Sequence, residues 1–342
     1  MKRGWIIALI TSLFVSTFAI ANEVNVFNAR HYKADAELFS KFTNKTGIKV
    51  NLINGKAGAL EKRMIEEGTE SSADLYITAD AGRCGAFKAK GLTQGGLTSA
   101  AIKAAVPSNF RTSHWVGVAK RARIIYYAPE RVSGAELSGL TYESLADPKW
   151  KGRLVIRKSS NIYNKSLVAS LVKNNGKAAT AKWAEGVVAN MARTPKGNDR
   201  AQIMAVAAGE ADIAVANTYY LALMLSGNKG AEQQAAAKKV KVFFPNQNDR
   251  GTHINISCAA LVKGAPNKSN AIALVEYLLT PEAQEHFTNN TFEFPMIDGV
   301  SPNLLVVNNL GLDFKQDLKT KVSSYGAKQA DALEVMTAAG WK

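Results

Sequence analysis

Along the 342-residue chain the spacing of apolar positions switches repeatedly between a period of two and a period near 3.6. Glu23–Ala29 (EVNVFNA) alternates and is rich in Val and Phe, which predicts a strand. Ala34–Asn44 then sets Leu38, Phe39 and Phe42 on one helical face. Ile48–Ile53 reads as a strand, Leu60–Glu67 as a helix, Asp74–Ala79 (DLYITA) as a strand, and an Ala-rich helix runs to about Lys90. This alternation implies a parallel sheet with helices on both faces.

His114–Tyr127 (HWVGVAKRARIIYY) is a long β-rich stretch, suited to crossing between two lobes, with Tyr126-Tyr127 read as packing of that strand. A second alternation starts at Leu154–Ile156, with helices near 163–175, 178–192 and 199–209. Ala211–Ala216 is a strand, followed by a helix from about Thr218 and strands at Val240–Phe244 and His253–Val262. Lys268–Phe287 reads as an amphipathic helix with a break at Pro281, and a last helix ends near Ala339. The order implies two α/β lobes. The chain crosses near 120 and recrosses near 245, so two strands form a hinge beside a ligand cleft. The expected division is 1–21 leader, 22–121 plus 245–297 first lobe, and 122–244 plus 298–342 second lobe with the C-terminal helices.

The N-terminus alters how the charge is read. Lys2 and Arg3 precede an apolar run from Trp5 to Ile20, and Ala19-Ile20-Ala21 is a small-x-small cleavage pattern. The run is shorter than the ~20 apolar residues a span needs. Export to a periplasm with cleavage near Ala21-Asn22 is therefore expected. The formal charge of +15 would otherwise invite nucleic acid. Export, the scattered positions of the cations and the lack of zinc-finger or RNP-like spacing argue against it. The densest basic group, Lys120-Arg121-Ala122-Arg123, reads as a solvated surface or as a dock for an acidic partner. The two cysteines, Cys84 and Cys258, suggest a bridge in an oxidising compartment, with two buried thiols as the alternative.

Three places share one design, in which a strand or loop ends and a helix begins: Asn28-Ala-Arg-His-Tyr32, Ser159-Ser-Asn-Ile-Tyr163 and Ala216-Asn-Thr-Tyr-Tyr220. Ligands of open α/β sheets gather at the carboxyl ends of strands, and helix N-termini favour anions there. Ser159, Ser160, Asn161, Asn217 and Thr218 are plausible caps. A phenol with its ordinary pKa of about 10 needs a hard cation beside it to ionise at neutral pH. Ferric ion with several tyrosinates and an imidazole is chemically coherent. Four tyrosinates and Fe³⁺ leave one negative charge, which Arg30 or Arg157 could offset. Ordinary aromatic packing, or a cleft for a sugar, amino acid or polyamine, remains open on spacing alone; an amine would look to Asp35 and Asp80. No nucleophile elbow, paired-carboxylate motif or Gly-rich phosphate loop points to an enzyme.

The segments VFNARHY (26–32), DLYITADAGR (74–83), LADPKWKGRL (145–154), SSNIYNKSLVASL (159–171), GEADIAVANTYY (209–220), GTHINIS (251–257) and ALVEYLLTPEAQE (273–285) resemble the ferric-ion-binding proteins of iron ABC transporters, the FutA/FbpA type. The resemblance spans nearly all of the mature chain, and RHY, SNIYNKS and NTYY are its most specific parts. It implies a bilobal type II periplasmic-binding-protein fold. It also implies iron ligation by Tyr32, Tyr163, Tyr219 and Tyr220, with His31 as a fifth ligand. It implies a non-enzymatic monomer that takes up Fe³⁺ and docks on an inner-membrane ABC permease. Some relatives add carbonate or phosphate as a synergistic anion, for which Arg30 and Arg157 are the candidates here. An arginine that some relatives carry one turn after the tyrosine pair is absent, since Leu223 and Met224 stand there. The cysteines are not part of the resemblance. A binding protein for a small organic or oxyanionic solute is the alternative on the same fold.

Overall fold

The computed structural model describes residues 22–30 and 32–342. The predicted leader and His31 lie outside the described residues. The first lobe opens with β1 (Glu23–Asn28), α1 (Ala34–Thr46), β2 (Lys49–Asn54), α2 (Ala57–Glu67), β3 (Leu75–Thr78), α3 (Ala81–Ala89) and α4 (Ala100–Ala105). The crossing strand β4 (Trp115–Tyr127) leads to α5 (Gly134–Leu137), β5 (Leu154–Val155), α6 (Ile162–Asn175), α7 (Lys177–Asn190), α8 (Asp199–Ala207), β6 (Ile213–Asn217), α9 (Tyr219–Leu225), α10 (Ala231–Lys238) and β7 (Lys241–Phe243). The return strand β8 (Ile254–Leu261) is followed by α11 (Lys268–Leu278), α12 (Pro281–Thr291), α13 (Leu304–Leu310) and α14 (Ser324–Ala338). No helix among the described residues is long and apolar enough to cross a membrane.

The strands run in the order β2-β1-β3-β8-β4-β6-β5, with β7 also on β4. β1 pairs in parallel with β2 and β3, and β5 with β6, as crossover helices demand. β4 changes partners along its length. Trp115–Ala122 pairs with β8, whereas Arg123–Tyr127 pairs with β6 and, near its end, with β7. A strand shared in this way hinges one half of the sheet on the other. A further segment runs beside the hinge: Phe294 bridges to Lys120 and Gln316 to Thr252.

Local sequence explains most boundaries. In α1, Leu38, Phe39 and Phe42 are buried as predicted, and Gly47 ends the helix with φ 72°. The helix predicted over Lys268–Phe287 with a break at Pro281 is two helices, α11 and α12. Thr280 caps the second through its side chain, and Pro281 sits where its missing N–H costs nothing. Asn161 caps α6, whereas Ser159 and Ser160 do not; Thr218 precedes α9 without a side-chain cap bond. The basic group at 120–123 is not a solvated surface. Arg121 and Arg123 are buried on one face of β4, two residues apart, because strand alternation turns both inward.

Cys84 on α3 is bonded to Cys258 on β8, 174 residues away. The bridge restricts the unfolded chain over a long loop. The Cys84→Ala, Cys258→Ala double variant is expected to lose about 2–4 kcal/mol, read as a lower urea midpoint with a steeper slope from the more expanded unfolded chain.

His253, just ahead of β8, is buried and stacked on Tyr325 with ring centroids 4.9 Å apart. Neither ring nitrogen has a hydrogen-bond partner among the described residues. Burial first, then the charges of Arg123, Arg250 and Arg121, push the imidazole down to about 3. The folded state therefore keeps His253 neutral, while the unfolded chain takes up a proton below the ordinary value near 6.5. The stability this represents is complete above about pH 6.5 and is lost as pH falls toward 3, at up to about 1.4 kcal/mol per unit. His253→Leu should flatten the decline of the urea midpoint between about pH 6 and 4.

Candidate metal centre

Each predicted tyrosine stands where a strand hands over to a helix. Tyr32 follows β1 and precedes α1, Tyr163 lies in the first turn of α6, and Tyr219 and Tyr220 begin α9 directly after β6. The Asn161 side chain accepts the Tyr163 and Asn164 amides at 3.2 and 3.3 Å, which fixes the start of α6. All four tyrosines line one cleft of about 790 Å³, with Arg30, Thr78 and Asp80 on one wall and Arg200 and Leu223 on the other. The Tyr219 hydroxyl is 3.4 Å from that of Tyr163, and the Tyr219 and Tyr220 rings pack at 4.2 Å. Among the described residues no group of three or more His, Cys, Asp or Glu could hold a metal.

Electrostatics set the resting state of these phenols. Burial raises the Tyr32 hydroxyl well above its ordinary value; Glu293, Tyr163 and Tyr220 add to the rise and Arg30 opposes it. Burial does the same to Tyr219, with Tyr163, Tyr220 and Tyr32 adding and Arg121 opposing. Tyr220 is raised by burial and then by Asp199 and Tyr163. Without a cation among them these three phenols hold their protons at neutral pH. The mutual repulsion of their ionised forms is what a trivalent ion would remove.

Behind the tyrosines lie two buried charge clusters. Glu293 accepts Arg30 Nη2 and Arg121 Nη1, each at 3.0 Å, and the hydroxyls of Ser257 at 2.9 Å and Thr291 at 3.0 Å. Burial pushes the Glu293 carboxyl up, but Arg30, Arg121 and the two hydroxyls outweigh it and hold it below the ordinary value. Asp199 takes Arg123 at 2.9 Å and Arg157 at 2.7 Å. The guanidinium of Arg30 lies 4.9 Å from the Tyr32 ring centre, and those of Arg121 and Arg157 each lie 5.8 Å from that of Tyr163. Arg30 and Arg157 are thus not free cations. Arg30 pairs with Glu293 and, at 3.3 Å, with Asp35, and Arg157 pairs with Asp199.

The carboxylates weighed for an amine ligand are also engaged. Asp35 is buried against Arg30, and Asp80 is buried in hydrogen bonds to Ser166 and Asn255. Sequence reasoning missed Arg121, Arg123, Asp199 and Glu293. Two arginines at alternate positions inside an apolar strand were the available signal, since one face of such a strand is buried.

A family profile described as bacterial extracellular solute-binding protein matches residues 70–313. The chain is 47% identical over 322 residues to iron uptake protein A1 of Synechocystis sp., covering 94% of this chain and 88% of that one. Among solved structures it is similar to a Trichodesmium FutA (IdiA) in complex with iron and citrate, at 48% identity and a TM-score of 0.89, covering 94% of this chain and all of the other. It is also similar to a ferric binding protein from Campylobacter jejuni, at 37% identity and a TM-score of 0.86, covering 93% of this chain and 100% of that one. The two-lobed sheet with its shared strands is the type II periplasmic-binding fold, and the relatives bind solutes rather than catalyse reactions. The chain belongs to the bacterial extracellular solute-binding proteins, of the FutA/FbpA type.

Proposed function

We propose that this protein captures ferric iron in its cleft through the phenolates of Tyr32, Tyr163, Tyr219 and Tyr220, with His31 as a further donor, and delivers it to the permease of an ABC importer. The observation that carries this reading is the convergence of four phenols on one cleft from both sides of the hinge. The names of its relatives, which speak of iron uptake and ferric binding, support it. Tyr32 follows β1 in the first lobe, whereas Tyr163, Tyr219 and Tyr220 belong to elements of the second. An ion bridging them binds the closed form better than the open one, and that difference drives closure. The lobe division at 121–122 is part of this reading, and the change of β4's partners at Ala122 supports it.

The arginines behind the tyrosines offset the negative charge of a ferric tetraphenolate site. Arg30 Nη1 has no hydrogen-bond partner among the described residues and is where a small anion such as carbonate would add to the site. Export by a leader cleaved near Ala21-Asn22 places the monomer in the periplasm. Protonation of the phenolates, or reduction to Fe²⁺, weakens the site and gives a route for release. A visible titration of the mature protein with ferric citrate tests the proposal. Phenolate-to-iron charge transfer should colour the protein orange to red and saturate at one ion per chain. A colourless protein at saturating iron rejects it in favour of an organic or oxyanionic solute.

A further inference from the structure

On the floor of the cleft the Asp80 carboxylate takes partners from both lobes. Asp80 ends the loop after β3 and caps α3, taking the Arg83 amide at 3.2 Å. Its other oxygen accepts Asn255 Nδ2 at 2.8 Å, and Asn255 Oδ1 in turn holds the Ala81 amide at 2.9 Å. These partners belong to the first lobe and the hinge. The remaining partner does not: Ser166 Oγ donates to Asp80 Oδ1 at 2.7 Å from α6, three residues beyond Tyr163 on the same helix. Both Asp80 and Ser166 are fully buried.

The surroundings are shaped for this contact. A Cβ on Gly82 would meet Gln329 Nε2 at 2.0 Å, Ser166 Oγ at 2.7 Å and Asp80 Oδ1 at 2.9 Å. Only a residue without a side chain lets α6 and α14 come this near to α3. One turn on, Gly85 and Gly326 cross backbone to backbone, with a Cβ on Gly326 falling 2.8 Å from Gly85. Between these glycines Cys84 ties α3 to β8, so the surface that receives Ser166 is fixed to the hinge strand.

We infer that Asp80 and Ser166 form an interlobe latch that positions α6, and with it Tyr163, in the closed cleft. Asp80 and Ser166 act here as positioning residues. The latch deepens the ferric reading and rests on it for the ligand used in its test. Opening the cleft exchanges the serine hydroxyl for water, so the bond weights the closed form without locking it. Bound ion then leaves more slowly than its ligands alone would dictate.

The test compares mature wild-type protein with Ser166→Ala and with Ser170→Ala. Ser170 is also buried on α6, but its hydroxyl bonds only to Leu167 O of its own helix, so it controls for the loss of a buried serine. Stripping of iron by excess EDTA should be about tenfold faster in Ser166→Ala than in wild type or Ser170→Ala, with the charge-transfer band unmoved. Small-angle scattering of the iron-free proteins should show a larger radius of gyration for Ser166→Ala alone. Equal stripping rates in the two variants, or a displaced band in Ser166→Ala, would overturn the latch. Absence of colour in all three proteins would defeat the ferric reading instead. The scattering comparison would then decide the latch by itself, equal radii rejecting it.

Discussion

The Tyr219→Phe, Tyr220→Phe variant is expected to remain folded, to stay colourless with ferric citrate and to bind iron at least about 10²-fold more weakly than wild type. Losing an outer-shell partner of a metal ligand costs about 10–100-fold in affinity. Losing a donor atom costs no less, and here two go together. The rings stay, so the 4.2 Å packing of the pair and the burial of Tyr219 are kept. The hydroxyl contacts removed from Tyr219, to Tyr163 and Asn217, are both 3.4 Å long and therefore weak. The apo unfolding midpoint should accordingly move little while the colour disappears. A variant that still colours and saturates like wild type would remove the tyrosine pair from the site.

Two sources of pH dependence overlap in the loaded protein. Burial and neighbouring phenols raise the hydroxyls of Tyr32, Tyr219 and Tyr220. A bound ferric ion must therefore hold these protons off, and each fall in pH gives the protons the advantage. Iron retention should decline on acidification, whereas retention unchanged down to about pH 4 would contradict phenolate ligation. His253 weakens the fold itself over the same acid range, from its own partnerless site beside the hinge. Spectra of loaded His253→Leu would report the ligand protons without that contribution.

How far the chain could be read follows from how local each signal is. The three strand-to-helix turns at 28–32, 159–163 and 216–220 were legible because strand, cap and helix lie within a few residues. The break at Thr280-Pro281 was legible for the same reason. The short helices α4, α10 and α13 were not, since six to eight residues carry little periodicity. The buried charge clusters were hidden for a different reason. Arg121 meets Glu293 across 172 residues and Arg123 meets Asp199 across 76, and nothing local distinguishes such arginines from solvated ones. The Asp80–Ser166 bond spans 86 residues and was equally invisible. Four tyrosines could thus be placed from sequence, and the apparatus that charges and closes their cleft could not.

Glu293 is where that apparatus and the stability of the fold meet. Glu293→Ala is expected to lower the stability of the iron-free protein by about 3–5 kcal/mol, because it leaves buried guanidiniums without their counter-charge. Arg30 keeps Asp35 at 3.3 Å, but among the described carboxylates Arg121 has only Glu293 as an ion-pair partner. Arg121 would retain bonds to Ser257 Oγ and the Ala79 carbonyl, neither of which carries charge. The cost should therefore fall mainly on Arg121, and a second substitution there should recover part of it. In urea at pH 7, Glu293→Met with Arg121→Met should be more stable than Glu293→Ala, since a matched apolar pair replaces a buried ion pair at little cost. Iron binding should separate from stability in that double variant. The Arg121 guanidinium 5.8 Å from the Tyr163 ring and the Glu293 carboxylate that raises the Tyr32 hydroxyl would go together, so the net charge behind the cleft is kept and only the local positive charge facing Tyr163 and Tyr219 is lost. A double variant that regains both stability and wild-type iron affinity would show that Arg121 serves the fold alone. Regained stability with weakened binding would assign its charge to the site.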